Sequence, residues 1–255
     1  MLQFYKYKFP SPTKPGTWIY VQTEDERLYA QTLVKTIHQR WHPPKYFFHL
    51  QKGGHLKALH RQKPDAYFAR LDIEKFYGTV TRNKLTRALK KIGFSFADAV
   101  SLSHRSCVVL DGGRRLPYGY VQSPILASLV LDTSALGHGF REVLEKDVNL
   151  SVFMDDVLLS HPDSSALIDE ALMVLHQAAE KSGFTFSAEK FEGPADLVTI
   201  FNIILQHESL TLTPERYESF AQRVLAQGHG NSTQGILGYV RHVNEQQSAE
   251  LEDLL

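Results

Sequence analysis

Two adjacent acids, Asp155 and Asp156, stand in the middle of the run Ser151-Val-Phe-Met-Asp-Asp-Val-Leu-Leu-Ser160, between two apolar half-strands. The pattern predicts a β-hairpin with an acidic turn. Two carboxylates about 4 Å apart repel by about 4 kcal/mol at an effective dielectric near 20, so a turn that holds both invites a cation. Oxygen ligands favour a hard divalent ion, magnesium first and manganese as the alternative. By itself an Asp-Asp pair reads more commonly as a solvated turn, because Asp favours turns for its own hydrogen-bonding reasons. A third acid changes the balance. Asp72 ends the apolar strand that begins at Tyr67, and a lone acid there, beside the hairpin in one sheet, would complete a three-carboxylate cage. Two divalent ions in such a cage could activate an attacking hydroxyl and stabilise a leaving phosphate oxygen. Taken alone, Asp72 reads more commonly as a helix cap after the strand.

These acids need elements to carry them. Thr23-Glu24-Asp25-Glu26 forms a capping box, and behind it Tyr29, Leu33, Val34, Ile37 and Trp41 recur at helical spacing until His42-Pro43-Pro44. The Gly- and His-bearing stretch from Pro44 to Pro64 follows neither period. Thr81 to Ile92 predicts a short basic helix closed by Gly93. Ser123-Pro124 predicts a helix start with a hydroxyl cap, continuing through apolar residues to Leu144. A helix from Ser164 to Ser182 and strands over 184–186 and 197–205 follow, then a short polar tail with helices near Tyr217–Leu225 and Ile236–Val243. The order of elements predicts an α+β fold in which helices cover one face of an antiparallel sheet.

Composition narrows the class. The 255 residues carry 28 Lys+Arg against 28 Asp+Glu and are 43% hydrophobic, which excludes a disordered tail, a fibre and a coiled coil. The single cysteine, Cys107, excludes a disulfide framework and a thiolate zinc site, and the redox reading is intracellular. His38 and His42 have metal-pair spacing without the accompanying Glu, which disfavours zinc. No apolar run approaches the length of a membrane span, and the opening Met-Leu-Gln-Phe-Tyr-Lys lacks the order of a signal peptide, so a cytoplasmic protein without a membrane partner is expected. Basic residues cluster locally: Lys52, Lys57, Arg61 and Lys63 mingle with His49, His55 and His60, and Arg82, Lys84, Arg87, Lys90 and Lys91 stud the short helix. Such clusters suit phosphate contacts along a template or primer, or a solvated helix face.

Leu71-Asp72-Ile73-Glu74-Lys75-Phe76-Tyr77 resembles motif A of reverse transcriptases, Leu116-Pro117-Tyr118-Gly119-Tyr120-Val121-Gln122-Ser123-Pro124 resembles motif B, and Phe153-Met154-Asp155-Asp156 resembles motif C. The three stand in the family's order. Gly183-Phe184 with Lys190 is similar to motif D, and Phe201-Asn202-Ile203 loosely resembles the motif E primer grip. The likeness is nearer to bacterial enzymes of the retron, group II intron and phage-defence kind than to retroviral ones. It implies a right-hand polymerase: fingers and palm over 1–205, with motif A at 70–77, motif B at 116–124 and motif C at 153–156, and a short thumb-like segment over 206–255. It implies that Asp72, Asp155 and Asp156, with the Ile73 carbonyl, bind two Mg2+ ions, or Mn2+. Lys190 would stabilise the triphosphate or donate a proton to pyrophosphate. Tyr77 would be a steric gate against the ribose 2′-OH, the alternative being a core aromatic. Tyr118, Gly119, Gln122 and Ser123 would lie along the incoming nucleotide and template base.

The implied activity is RNA-directed DNA synthesis, with an RNA template, a DNA or RNA primer and deoxynucleoside triphosphates as partners. The chain departs from the pattern at Tyr118, where the family usually has Gln, and before the first long helix, where Lys14 lacks its usual Arg. Arg70 is the candidate to replace that triphosphate contact. Motif E lacks Leu-Gly, and the segment after Leu205 is short for a three-helix thumb. A structured RNA, a partner protein or a second copy is therefore expected to supply grip. Two other readings stay open: untemplated DNA synthesis by the same residues, and a non-catalytic nucleic-acid-binding or assembly module that keeps the palm.

Overall fold

In the computed structural model, which describes residues 4–255, the chain opens with an antiparallel hairpin of β1 (Tyr5–Pro10) and β2 (Trp18–Gln22), with Lys14 in the turn between them. Thr23 caps α1 (Glu24–Arg40), its hydroxyl accepting the Glu26 N–H at 3.3 Å. The Glu26 carboxylate does not reach back as a capping box would; it holds Arg105 at 2.8 Å. The stretch after Pro44 forms a 3₁₀ turn at Phe48–Leu50 and then α2 (Gly54–Gln62). Next come β3 (Tyr67–Asp72), the single turn α3 (Phe76–Thr79), α4 (Arg82–Lys91) and α5 (Phe96–Ser106). A small hairpin of β4 (Val108–Leu110) and β5 (Gly113–Arg115) precedes α6 (Ser123–Asp132) and α7 (Ala135–Glu145). The chain continues through β6 (Asn149–Phe153), β7 (Asp156–His161), α8 (Ser165–Ser182), β8 (Glu192–Ala195), β9 (Leu197–Ile200), β10 (Ile203–Gln206) and β11 (Ser209–Leu212). It ends with α9 (Pro214–Gln227), α10 (Asn231–Val243) and α11 (Glu245–Glu252).

The architecture is α+β. A four-stranded antiparallel sheet of order β6-β7-β3-β8 forms its centre. Successive side chains of a strand point to opposite faces, and both central strands use this period. Ala69, Leu71, Val157 and Leu159 join the main core with α6, α7 and α8. The alternate positions Phe68 and Leu158 join a second core built by β9–β11 and the three C-terminal helices. Arg70, Asp72 and Asp156 fall on that second face, beyond the edge of its apolar part. The acids are therefore aimed away from the helices by strand geometry alone.

The structure corrects several expectations. The apolar run after Ser123 is two helices broken at Thr133–Ser134, where Asp132 accepts bonds from Trp41 Nε1 at 2.8 Å and Arg141 Nη1 at 2.6 Å. Ser123 is not the cap of α6. Gln122 holds that position, and the Ser123 hydroxyl instead donates to the Pro117 carbonyl at 2.7 Å. The segment after Leu205 holds three helices rather than two, because the acidic end forms α11, capped by Asn244 and buried through Leu251. Among the described residues no helix is long and apolar enough to cross a membrane.

Candidate active site

Asp72 ends β3 and Asp156 begins β7, and the two are direct cross-strand partners. Asp155 fills the second position of the two-residue turn between β6 and β7, and its carbonyl accepts the Ile73 N–H at 2.8 Å. The first turn position, Met154, has φ of +61°, a left-handed conformation that costs a residue with a side chain about 1–2 kcal/mol. His49 offsets that cost. Its Nδ1 accepts the Met154 N–H at 3.1 Å, and its Nε2 lies 2.7 Å from Ser128 Oγ on α6.

Each carboxylate faces a cation. Lys190 Nζ donates to Asp72 Oδ1 at 2.7 Å, Lys14 Nζ stands 3.7 Å from Asp155 Oδ2, and Arg70 Nη2 donates to Asp156 Oδ1 at 3.2 Å. Among the described residues no group of three or more His, Cys, Asp or Glu side chains is gathered to hold one ion. The donor set nevertheless suits a hard divalent cation. Asp156 has its pKa raised to about 6, chiefly by burial and further by Asp155 and Asp72, against the lowering charge of Arg70. A divalent ion is the species that relieves such a crowded, desolvated acid. Lys14 feels the same field: burial works against its charge, but Asp155, Tyr118 and Asp72 together outweigh it and raise its pKa.

The other sequence candidates divide. Tyr77 is buried, 8% exposed, and meets Tyr118 edge-on at 4.7 Å between ring centroids, while Lys14 Nζ lies 5.4 Å over the Tyr118 ring. Tyr77, Tyr118 and Lys14 thus form one wall beside the acids. Gly119, with φ of +96°, lets the β1–β2 hairpin close on that wall. A Cβ there would stand 2.4 Å from the Tyr20 carbonyl, whose own N–H donates to the Tyr118 carbonyl at 2.9 Å. Gln122 and Ser123, expected at the substrate, have buried side chains with internal partners; Gln122 accepts from Gln22 Nε2 at 3.2 Å and donates to Ser106 Oγ at 3.4 Å. Arg70, expected at a triphosphate, is committed to Asp156, to Glu192 at 3.4 Å and to the Thr199 carbonyl at 2.7 Å.

Sequence reasoning missed His49 and Glu192. His49 lies in the stretch without a period, and Glu192 reaches Arg70 only through the pairing of β3 with β8, so neither had a local signal. It also read the basic helix too simply. Lys84 donates to the Gly183 carbonyl at 3.0 Å, at the end of α8, and Lys91 donates to the Thr133 carbonyl at 2.5 Å, at the end of α6. These two lysines cap helix C-termini, where a cation offsets the partial negative charge. In the motif E region, Phe201 and Asn202 both have positive φ in the β9–β10 turn, and the Phe201 ring meets Phe153 of motif C at 5.2 Å.

The family described as reverse transcriptase (RNA-dependent DNA polymerase) matches residues 12–200, which contain all three acids and both aromatic rings of the wall. The chain belongs to the reverse transcriptase family. No curated protein sequence matches it. Among solved structures, this reverse transcriptase-family chain is similar to a foamy viral protease-reverse transcriptase in complex with double-stranded DNA, with TM-score 0.52, 17% identity and coverage of 92% of this chain and 35% of that one. It is similar to telomerase from Candida albicans in complex with a fragment of telomeric RNA, with TM-score 0.53, 12% identity and coverage of 89% and 46%. These likenesses show the fold. The chain spans between a third and a half of the length of those two proteins.

Proposed function

We propose that the chain is an RNA-directed DNA polymerase of the kind found among bacterial retrons, group II introns and phage-defence systems, with phage defence as its setting. The observation that carries this reading is the cross-strand pairing of Asp72 with Asp156, with Asp155 in the turn beside them, in a chain of this family. Asp72, Asp155 and Asp156, with the Ile73 carbonyl, would hold two Mg2+ ions, or Mn2+. When bound, the ions would activate the primer 3′-hydroxyl and stabilise the pyrophosphate oxygens. Lys190 and Lys14, which pair with Asp72 and Asp155 in the free chain, would be the cations offered to an incoming triphosphate. Tyr77, braced by Tyr118, would exclude the ribose 2′-OH. Arg70 keeps Asp156 in place and gives it a permanent counter-charge. Residues 1–205 would supply fingers and palm and residues 206–255 a reduced thumb. Its partners would be an RNA template, a DNA or RNA primer and deoxynucleotides, with a structured RNA, a partner protein or a second copy adding grip.

Primer extension by the wild type and by Asp155→Asn, on RNA template, on DNA template and without template, tests the reading. Extension directed by RNA template in Mg2+ and abolished in Asp155→Asn is expected, with both chains giving the same circular dichroism. Incorporation that is equal in the two chains, or that ignores the template, would overturn it.

A further inference from the structure

Three half-buried arginines line one open cavity of about 440 Å³: Arg82 at the start of α4, and Arg114 and Arg115 on β5, with Thr81, Asn83 and Gly113 completing the wall. None of the three meets a carboxylate among the described residues. Arg70, Arg105 and Arg141 are likewise half-buried and each holds at least one. The bonds that Arg114 and Arg115 do make leave their charge unanswered. Arg114 donates to the Cys107 carbonyl at 3.2 Å and Arg115 to the Gly78 carbonyl at 2.6 Å, while Arg115 Nε is buried without a partner. Their field reaches the neighbouring bases: burial and then the charges of Arg114 and Arg82 lower the His104 pKa, and burial, then Arg87 and Arg115, lower that of Lys84.

Three guanidinium groups gathered without an acid repel one another, as the carboxylates do across the sheet, and an anion is what relieves them. Guanidinium forks match phosphate oxygens in pairs. The cavity is wider than one phosphate needs and opens to solvent, and at Gly112 and Gly113 of the hairpin tip a side chain would meet only open space. We propose that Arg82, Arg114 and Arg115 grip successive phosphates of a nucleic-acid backbone, at a site beside the motif A turn and separate from the three carboxylates. That the anion is a nucleic acid rests on the polymerase reading; the anion site itself does not.

The test uses the full chain carrying Asp155→Asn, so that binding is read without synthesis, with a fluorescent RNA of about 20 nucleotides and a DNA of the same sequence as the second arm. Arg82→Ala/Arg114→Ala should weaken binding about ten-fold near 0.1 M salt. It should also reduce the slope of log affinity against log salt by about 1.4, about 0.7 for each lost single-strand contact. Arg82→Lys/Arg114→Lys should restore the slope while leaving part of the affinity loss, because the charge returns without the fork. Loss in both arms supports backbone recognition, and loss with RNA alone supports it with a 2′-OH contribution. An affinity and slope no different from those of Lys35→Ala/Arg223→Ala, a charge-matched change elsewhere, would overturn the proposal. So would loss of inorganic pyrophosphate binding with RNA binding intact, which would make the cavity a small-anion pocket. Should the wild type fail to extend primers while the arginine variants still lose RNA, the polymerase reading fails and the site stands.

Discussion

His49 holds the backbone N–H of Met154 at 3.1 Å, so one half-buried ring on a 3₁₀ turn fixes the residue that precedes the two acids of the hairpin. Nδ1 lies between the Met154 N–H and the Val152 carbonyl, 3.4 Å away, while Nε2 meets Ser128 Oγ, which in turn donates to the Pro124 carbonyl at 2.9 Å. The motif C turn is thereby tied to the helix that motif B begins.

This arrangement gives stability a pH dependence of defined sign. Burial lowers the His49 pKa to about 4 from an ordinary 6.5. The unfolded chain therefore takes up the proton first, and His49 leaves stability unaffected above pH 6.5 and reduces it as pH falls towards 4, by about 3 kcal/mol at most. The difference in urea-unfolding free energy between wild type and His49→Gln should shrink across that window. A difference that stays constant from pH 7 to pH 4 would show that the ring does not titrate on unfolding.

Tyr77 predicts nucleotide selection. Tyr77→Ala should raise the efficiency of ribonucleotide use relative to deoxynucleotide use at least about ten-fold, each factor of ten being about 1.4 kcal/mol of lost discrimination. Tyr118→Ala, which keeps the Tyr77 ring and removes its edge-on brace at 4.7 Å together with the ring beneath Lys14, should give a smaller shift in the same direction. An unchanged ratio of kcat/KM values in both variants would reduce Tyr77 to a packing residue.

Gly119 predicts a local failure of the β1–β2 hairpin. In Gly119→Ala the left-handed φ costs about 1–2 kcal/mol, and the clash with the Tyr20 carbonyl adds to it. Gly112→Ala is the matched control, with φ of +73° and nothing within 4 Å of a new Cβ. The first variant should lose at least about 2 kcal/mol and become cleavable by protease within residues 5–22, while the second should lose only the cost of its backbone. Equal losses would mean that contact with Tyr20 is unimportant.

Charge predicts weak retention of nucleic acid by the C-terminal segment. Residues 206–255 carry three arginines and no lysine against seven acids, a net charge of −4. Such a segment repels a phosphate backbone more than it clamps one. In primer extension with a heparin trap, the purified chain alone should give short products from a single encounter. Products hundreds of nucleotides long, from a chain shown to be monomeric, would contradict this.

The sequence made the acids legible because each sits where a periodic apolar strand meets a turn, and strand pairing then follows from a two-residue hairpin. The cap at Thr23 and the helix from Ser165 to Ser182 were readable for the same reason: their signals are local. What escaped depends on partners distant in the chain. Lys84 and Lys91 look like phosphate ligands until α8 and α6 bring carbonyl ends to them. Gln122 looks like a substrate contact until Gln22 and Ser106 close around it. The β1–β2 hairpin, short and rich in alternating Lys and aromatic residues, gave no burial period because most of it is exposed.

The pairing of β3 with β7 also sets when these residues can meet during synthesis. Asp72 waits for Asp156, 84 positions later, and for Lys190 beyond it, and β3 has β7 and β8 as its only sheet neighbours among the described residues. Closing loops of that length must precede any reward from the contacts they allow, so such topologies fold slowly. A nascent chain that has left the ribosome only as far as α7 holds Asp72 on a strand with both edges unpaired, open to other chains. The carboxylate cluster is thus among the last parts of the chain to be assembled, and a cell that makes this protein quickly has reason to supply a chaperone for the interval.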